Sequence, residues 1–263
     1  MKTILVSTGQ TIFKKQLKIF LTSLKNFKCK ENSKCKEICN ISILSPNYSF
    51  IKNKQYASNQ FFFDIGNERE DKFYAKFVIC EFVKSVAFPN ENILYLDVDH
   101  ICRKNFSMPS ASSSEIFVSS EVKPISELLK LEYVNLLKSY FPFLENTQSF
   151  FHYNTSIIYG KSGLLASICD DWKQIYEILY KIIPHNILEE ISFSIALLKN
   201  KITISPISTK IQSSFYNLDK SCSLFHYGGP FKDSILIKNC ILSNTIDINS
   251  YCINIEDFIR FSK

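Results

Sequence analysis

Apolar positions fall into short continuous runs and into longer stretches with helical spacing, and the two kinds alternate along the chain. Lys2–Thr8 predicts a first buried strand, with an amphipathic helix over Ile12–Phe27 behind it. Ile41–Leu44 predicts a second strand, closed by Ser45-Pro46-Asn47, and Gln60–Ile65 a short aromatic one. A helix is expected over Glu70–Ala87, stopping before Pro89-Asn90. The clearest strand is Asn92–Leu96, whose unbroken run Ile93-Leu94-Tyr95-Leu96 suits a strand covered on both faces. It ends in Asp97-Val98-Asp99. Further on, the pattern predicts a strand at Glu115–Ser120, a helix from about Ile125 to Ser139 and a strand at Thr155–Tyr159. Helices follow at Leu164–Ile182 and Leu188–Lys199, then a strand at Lys201–Ser205. Beyond Ser234 the pattern is irregular, with a short terminal helix near Ile255–Phe261. No internal repeat is visible, so the alternation predicts an α/β fold in one domain spanning residues 1–263.

Composition narrows the class without changing it. Apolar residues make up 46% and charged residues 21%, which is ordinary for a globular chain. Six Gly and eight Pro leave little room for Gly-rich phosphate loops or flexible linkers. The net charge is +6, but Lys and acidic residues are interspersed, and no basic stripe forms on any predicted helix. That reads as a solvated basic surface with no nucleic-acid partner, although such a face can steer a diphosphate or touch an anionic membrane. There are nine Cys, and the spacing of Cys29, Cys35 and Cys39 fits neither zinc knuckles nor an iron–sulfur signature. Free thiols in a reducing, cytoplasmic setting are expected, with peripheral membrane contact as an option. The start of the chain lacks a signal-peptide apolar region, and no run reaches the length needed to span a bilayer.

The chemistry concentrates at Asp97-Val98-Asp99. Ligand sites in open α/β sheets lie at the carboxyl ends of strands. In an extended segment, i and i+2 side chains point to the same side, so two carboxylates there can share a hard divalent cation that also neutralises a diphosphate. Taken alone, the pair is equally an ordinary polar strand exit with solvated acids. Two other segments carry candidate groups. Asn154 stands at the start of a strand, where it can also make a local turn bond, and Glu189-Glu190 stand in a first helical turn, where acids also complement the helix dipole.

The stretch Tyr74–Asp99 reads YAKFVICEFVKSVAFPNENILYLDVD: a helix bearing a cation, a Pro-Asn break, then an apolar strand ending in DxD. It resembles the family-eight glycosyltransferases, the group containing glycogenin and the bacterial lipopolysaccharide galactosyl- and glucosyltransferases. His226-Tyr227-Gly228-Gly229-Pro230-Phe231-Lys232 is similar to that family's late HxxGxxK element. The resemblance implies a GT-A fold, with a Rossmann-like mixed central sheet flanked by helices. It implies a nucleotide-binding part over about residues 1–110 and a part on the acceptor and sugar side over about 111–263. It further implies that Asp97, Asp99 and His226 hold Mn2+ or Mg2+, and that Lys76, Gly229 and Lys232 meet the donor diphosphate. Thr8 would then close the strand that borders the base and ribose. Asn154, with Glu189 or Glu190, resembles family elements beside the transferred sugar and would carry the catalytic contacts.

The activity so implied is metal-dependent transfer of a sugar from a nucleotide donor, UDP above all, to a glycan, lipid-linked or protein acceptor, with retention. An inverting enzyme on the same fold, a phosphatase or phosphotransferase using Asp97 as nucleophile, and a non-catalytic scaffold are the alternatives. The phosphatase pattern fits poorly, because His100-Ile101 follows the second Asp and no Gly-Asp pair occurs. The chain departs from the family where Asp233-Ser234 replaces Pro-Trp, Ser156 replaces a Gly, and Gly9-Gln10 follows the first strand.

Overall fold

The computed structural model of the protein describes residues 2–6, 16–17, 20–21, 41–45, 59–63, 73–85, 90–102, 106–145, 150–184, 186–214, 217, 219 and 221–228. Twelve strands occur among them: β1 (Lys2–Val6), β2 (Ile41–Ser45), β3 (Asn59–Phe62), β4 (Asn92–Asp97), β5 (His100–Cys102), β6 (Glu115–Val118), β7 (Val122–Pro124), β8 (Phe151–Tyr153), β9 (Ile157–Lys161), β10 (Thr203–Pro206), β11 (Gln212–Ser214) and β12 (Leu224–His226). Four α-helices are described over their whole length: α1 (Val78–Ser85), α2 (Leu131–Tyr140), α3 (Ser162–Ile182) and α4 (Leu188–Lys199).

Seven strands form the main sheet in the order β10-β6-β9-β4-β1-β2-β3. β4, β1, β2 and β3 are mutually parallel, whereas β9 runs antiparallel between β4 and β6. The sheet is therefore mixed. β4 owes its unbroken apolar run to burial on both faces: Ile93 and Tyr95 point into one hydrophobic cluster, Leu94 and Leu96 into another. The first cluster is roofed by α1 with the 3-10 turn before it (Tyr74–Phe77), by α3 and by α4, where Phe77, Trp172 and Phe193 interlock with ring centroids 4.8–5.0 Å apart. Each such fully buried side chain contributes about 1.5–3 kcal/mol. Both layers thus pin β4, and with it the acidic turn at its carboxyl end.

Several predicted boundaries differ. The helix expected over Glu70–Ala87 is a 3-10 turn at Tyr74–Phe77 leading into α1. The helix expected from Ile125 to Ser139 is split, because Lys130 adopts an extended backbone (ψ 149°) between a 3-10 turn at Ile125–Glu127 and α2. β9 starts two residues later than expected, since Thr155 and Ser156 form the turn out of β8. The strand expected at Lys201–Ser205 begins at Thr203, after a left-handed Lys201 (φ 54°). The short strands β5, β7, β8, β11 and β12 were not predicted. They build the two-stranded pair β7-β8 and the three-stranded sheet β11-β12-β5 beside the carboxyl end of β4. Of the helix expected at Ile12–Phe27, Gln16, Leu17, Phe20 and Leu21 are helical. Ser7, Thr8 and the predicted terminal helix lie outside the described residues. Cys80, Cys102, Cys169 and Cys222 are buried free thiols. Among the described residues, no helix is long and apolar enough to cross a membrane.

Candidate functional site

Asp97 is the last residue of β4, and Val98-Asp99 turn the chain directly into β5. The two carboxylates converge because of this turn, not because the segment stays extended as predicted. Val98 goes into the core below, and the turn is closed by His100 Nδ1 against the Asp97 carbonyl at 2.9 Å. β5 then pairs antiparallel with β12, in a register that sets His100 opposite His226. The two imidazoles stack at 4.8 Å. The Tyr227 N–H donates to the Asp99 carbonyl at 3.1 Å, fixing β12 against the turn. A residue 127 positions after Asp99 in sequence is thereby delivered to it.

Asp97, Asp99 and His226 each present a ligand atom, all within 4.8 Å of one another. His226 Nε2 lies 3.4 Å from Asp99 Oδ1. Two ligands bonded to one cation at about 2.2 Å, at somewhat more than a right angle, are that far apart. Two carboxylate oxygens and one imidazole form a donor set suited to a divalent ion such as Mn2+. Gly228 completes the cradle: a Cβ there would lie 2.5 Å from His226 Nε2 and 2.9 Å from Asp99 Oδ2. The residues present therefore fit the metal.

A second layer backs the first. The Tyr95 hydroxyl, two residues back on the same face of β4, donates to Asp97. The Lys76 ammonium donates to Thr155 Oγ1 at 2.8 Å, Glu189 Oε2 at 3.2 Å and Asp97 at 3.4 Å. Thr155 Oγ1 in turn donates to Glu189 Oε1 at 2.8 Å. Beside this knot, Glu190 accepts from Asn154 Nδ2 at 3.1 Å and from His152 Nε2. The Ser156 N–H donates to Asn154 Oδ1 at 2.9 Å, which turns the Asn154 amide so that its NH2 faces Glu190. The Trp172 indole N–H donates to the Glu189 carbonyl at 3.0 Å and anchors the first turn of α4.

Electrostatics separate these groups. Burial would lower the Lys76 pKa, but the charges of Asp97, Glu189 and Glu190 outweigh it and hold the ammonium above its ordinary value. Burial pushes the Glu189 carboxyl up to about 7, against the pull of Lys76. Glu190 moves the other way: burial opposes ionisation, yet the His152 bond and charge, with Lys76 and His226, carry its pKa below the ordinary value. Burial and the neighbouring His226 push the His100 imidazole down to about 3, so it is neutral.

Of the residues singled out in the sequence, Asp97, Asp99, His226, Lys76, Asn154, Glu189 and Glu190 thus gather in one place. Thr8, Gly229 and Lys232 lie outside the described residues. Tyr95, His100, His152 and Thr155 were missed, although the i−2 relation of Tyr95 to Asp97 was visible in the sequence. Trp172 is 2% exposed and packs in the core, and its indole N–H has a polar task as well. Away from the site, Asp170 pairs with Lys84, and Asp171 with Lys199 and Asn200.

No family model matches the chain, and no curated protein matches it by sequence. Solved structures do match. The galactosyltransferase LgtC, in complex with donor and acceptor sugar analogues, aligns at a TM-score of 0.54 and 11% identity over 88% of each chain. Mouse xyloside xylosyltransferase 1 aligns at 0.50 and 12% identity, over 89% of this chain and 99% of that one. The glycosyltransferase GlyE of Streptococcus pneumoniae aligns at 0.53 and 12% identity, over 87% of this chain and 55% of that one. The chain has the GT-A glycosyltransferase fold.

Proposed function

We propose that the protein is a metal-dependent glycosyltransferase that moves a sugar from a nucleotide donor, UDP-linked, to a glycan, lipid-linked or protein acceptor, with retention. The observation that carries this reading is the meeting of Asp97, Asp99 and His226 at the carboxyl end of β4, within a fold shared with glycosyltransferases. Charge supports the metal requirement. Asp97, Asp99, Glu189 and Glu190 crowd a site where, among the described residues, Lys76 is the one Lys in the hydrogen-bonded network, so an anionic diphosphate meets net repulsion unless a cation intervenes. Mn2+ or Mg2+ held by Asp97, Asp99 and His226 would supply that charge and stabilise the departing nucleoside diphosphate. Lys76, Gly229 and Lys232 are assigned to the diphosphate, the first and last through charge and the Gly by letting backbone approach. Thr8, after β1, is assigned to the base and ribose. Asn154, Glu189 and Glu190 form the half of the site on the sugar side.

The test is a panel of nucleotide sugars with and without Mn2+, scored for release of nucleoside diphosphate and for the anomeric configuration of the product. Turnover that needs the metal and retains configuration is expected. Full turnover in excess chelator sinks the metal requirement, and an inverted product sinks retention.

A further inference from the structure

The adjacent acids Glu189 and Glu190 open the same helix, but their surroundings differ. The Glu189 side chain is 1% exposed, and its two oxygens are taken by Lys76 and Thr155. It is a buried strut between α4, the β8–β9 turn and the segment that carries Lys76. The Glu190 side chain is 15% exposed and lies within electrostatic reach of His226 and Lys76. One of its oxygens accepts from Asn154 and the other from His152.

His152 is itself buried, with a side chain 4% exposed, at the centre of β8. Its Nδ1 has no hydrogen-bond partner among the described residues, so the bond to Glu190 is, among them, the one hydrogen bond that orients the ring. An ionised carboxylate only accepts, so Nε2 carries the proton and donates it to the bond. The Ser194 hydroxyl ties the two elements together: it donates to the Glu190 carbonyl at 2.8 Å and accepts from the Tyr153 N–H at 3.1 Å. Ser194 thereby joins β8 to the turn of α4 that carries Glu190.

We propose that His152 is a positioning residue which, with Asn154, clamps both oxygens of Glu190, making Glu190 and not Glu189 the carboxylate that meets the transferred sugar. This rests on the glycosyltransferase reading. In that role Glu190 stays an anion beside the anomeric carbon and stabilises the positive charge that develops there as the nucleoside diphosphate departs. Each Glu190 oxygen keeps a free acceptor position, because the clamp uses one per oxygen. Asn154 then acts on Glu190 and not on the sugar, and Glu189 serves as the counter-ion of Lys76.

The test is a double-mutant cycle of His152→Ala and Glu190→Gln in the full chain. It is read as kcat with an active donor, as Kd for UDP with Mn2+, and as thermal unfolding. Loss of a hydrogen bond to a charged group predicts a fall in kcat of roughly 10- to 100-fold for His152→Ala, with UDP affinity unchanged. Glu190→Gln should fall at least as far. The double variant should be no slower than Glu190→Gln alone, because His152 acts through that carboxylate. His152→Gln, which keeps a donor at the same place, should recover most of the loss and guards against a general folding defect. Turnover by the wild-type chain, with additive losses or with a His152→Ala effect confined to UDP affinity, overturns the positioning role alone. No turnover by the wild-type chain with any donor overturns the glycosyltransferase reading, and the proposal with it.

Discussion

Gly228→Ala separates the metal site from the fold that supports it. The added Cβ would stand 2.5 Å from His226 Nε2, some 0.9 Å short of ordinary contact at 3.4 Å, and 2.9 Å from Asp99 Oδ2. These atoms, with His226 Cε1 at 2.9 Å, all belong to side chains, so the cheapest relief is to swing the imidazole away and leave the backbone in place. A core or turn that must shift more than this loses about 1–3 kcal/mol, and here the loss should fall at or below the low end. Metal binding has no such slack, since ligand distances hold to about 0.2 Å. A displacement approaching an ångström takes His226 out of bonding range and leaves two carboxylates. Mn2+ affinity, measured by calorimetry or from the signal of free Mn2+, should drop by about 10- to 100-fold, the range found when the support of a metal ligand is removed. Thermal unfolding of the metal-free protein should stay close to wild type. Unchanged Mn2+ affinity would show that His226 is not a ligand, or that the cation sits elsewhere. A fully unfolded variant would show that the Gly serves the backbone.

Asp99→Ala should abolish Mn2+ binding and Mn2+-dependent turnover; retained Mn2+ affinity by calorimetry counts against the three-ligand centre. Trp172→Phe keeps an aromatic ring in the core but removes the donor to the Glu189 carbonyl, and should cost about 1–3 kcal/mol in denaturant unfolding. Glu189 has an ordinary value of 4.5 raised to about 7 by burial, so the folded state binds its proton more tightly than the unfolded one. Its contribution to stability is complete below pH 4.5 and is lost as pH rises through about 7. Glu189→Gln, with Lys76, Glu190 and Asp97 still facing it, should flatten the stability profile across that window; an unaltered slope removes Glu189 as its source.

The sheet strands and the larger helices were legible because their signal is local. The apolar run of β4, buried on both faces, the period of α3 and the apolar stretch of α4 are written in contiguous residues, and α4 begins and ends where its stretch does. The short strands were not legible. β5, β8 and β12 have three residues each, too few to show a period, and they exist because partners distant in sequence supply their hydrogen bonds. The same contrast holds in the site. Asp97, Asp99 and His226 were found through two motifs in the expected order. His152, Thr155 and Tyr95 carry no motif, and their tasks arise only when β8, the β8–β9 turn and β4 are brought to one edge of α4. The roles of Glu189 and Glu190 were indistinguishable in sequence for the same reason. Neighbours in a helix differ in environment by about 100° of rotation, and only packing tells which of them faces inward.

That rotation also bears on Lys76. An ammonium has three N–H donors, and here Thr155, Glu189 and Asp97 take all three. A diphosphate oxygen can gain a direct bond only in exchange for one of them. The longest, at 3.4 Å to Asp97, is the one most easily released. On the proposed assignment Lys76 has two duties, balancing the Asp97 carboxylate and meeting the donor. The two duties compete for one bond, because Glu189 and Thr155 hold the other two at 3.2 and 2.8 Å. A shorter or neutral side chain at this position fails at both, and leaves Asp97 and Glu189 facing each other without a cation between them. Removing one partner of such a buried pair costs about 3–5 kcal/mol. Lys76, in the 3-10 turn before α1, is thus bound to the acidic turn through the fold itself.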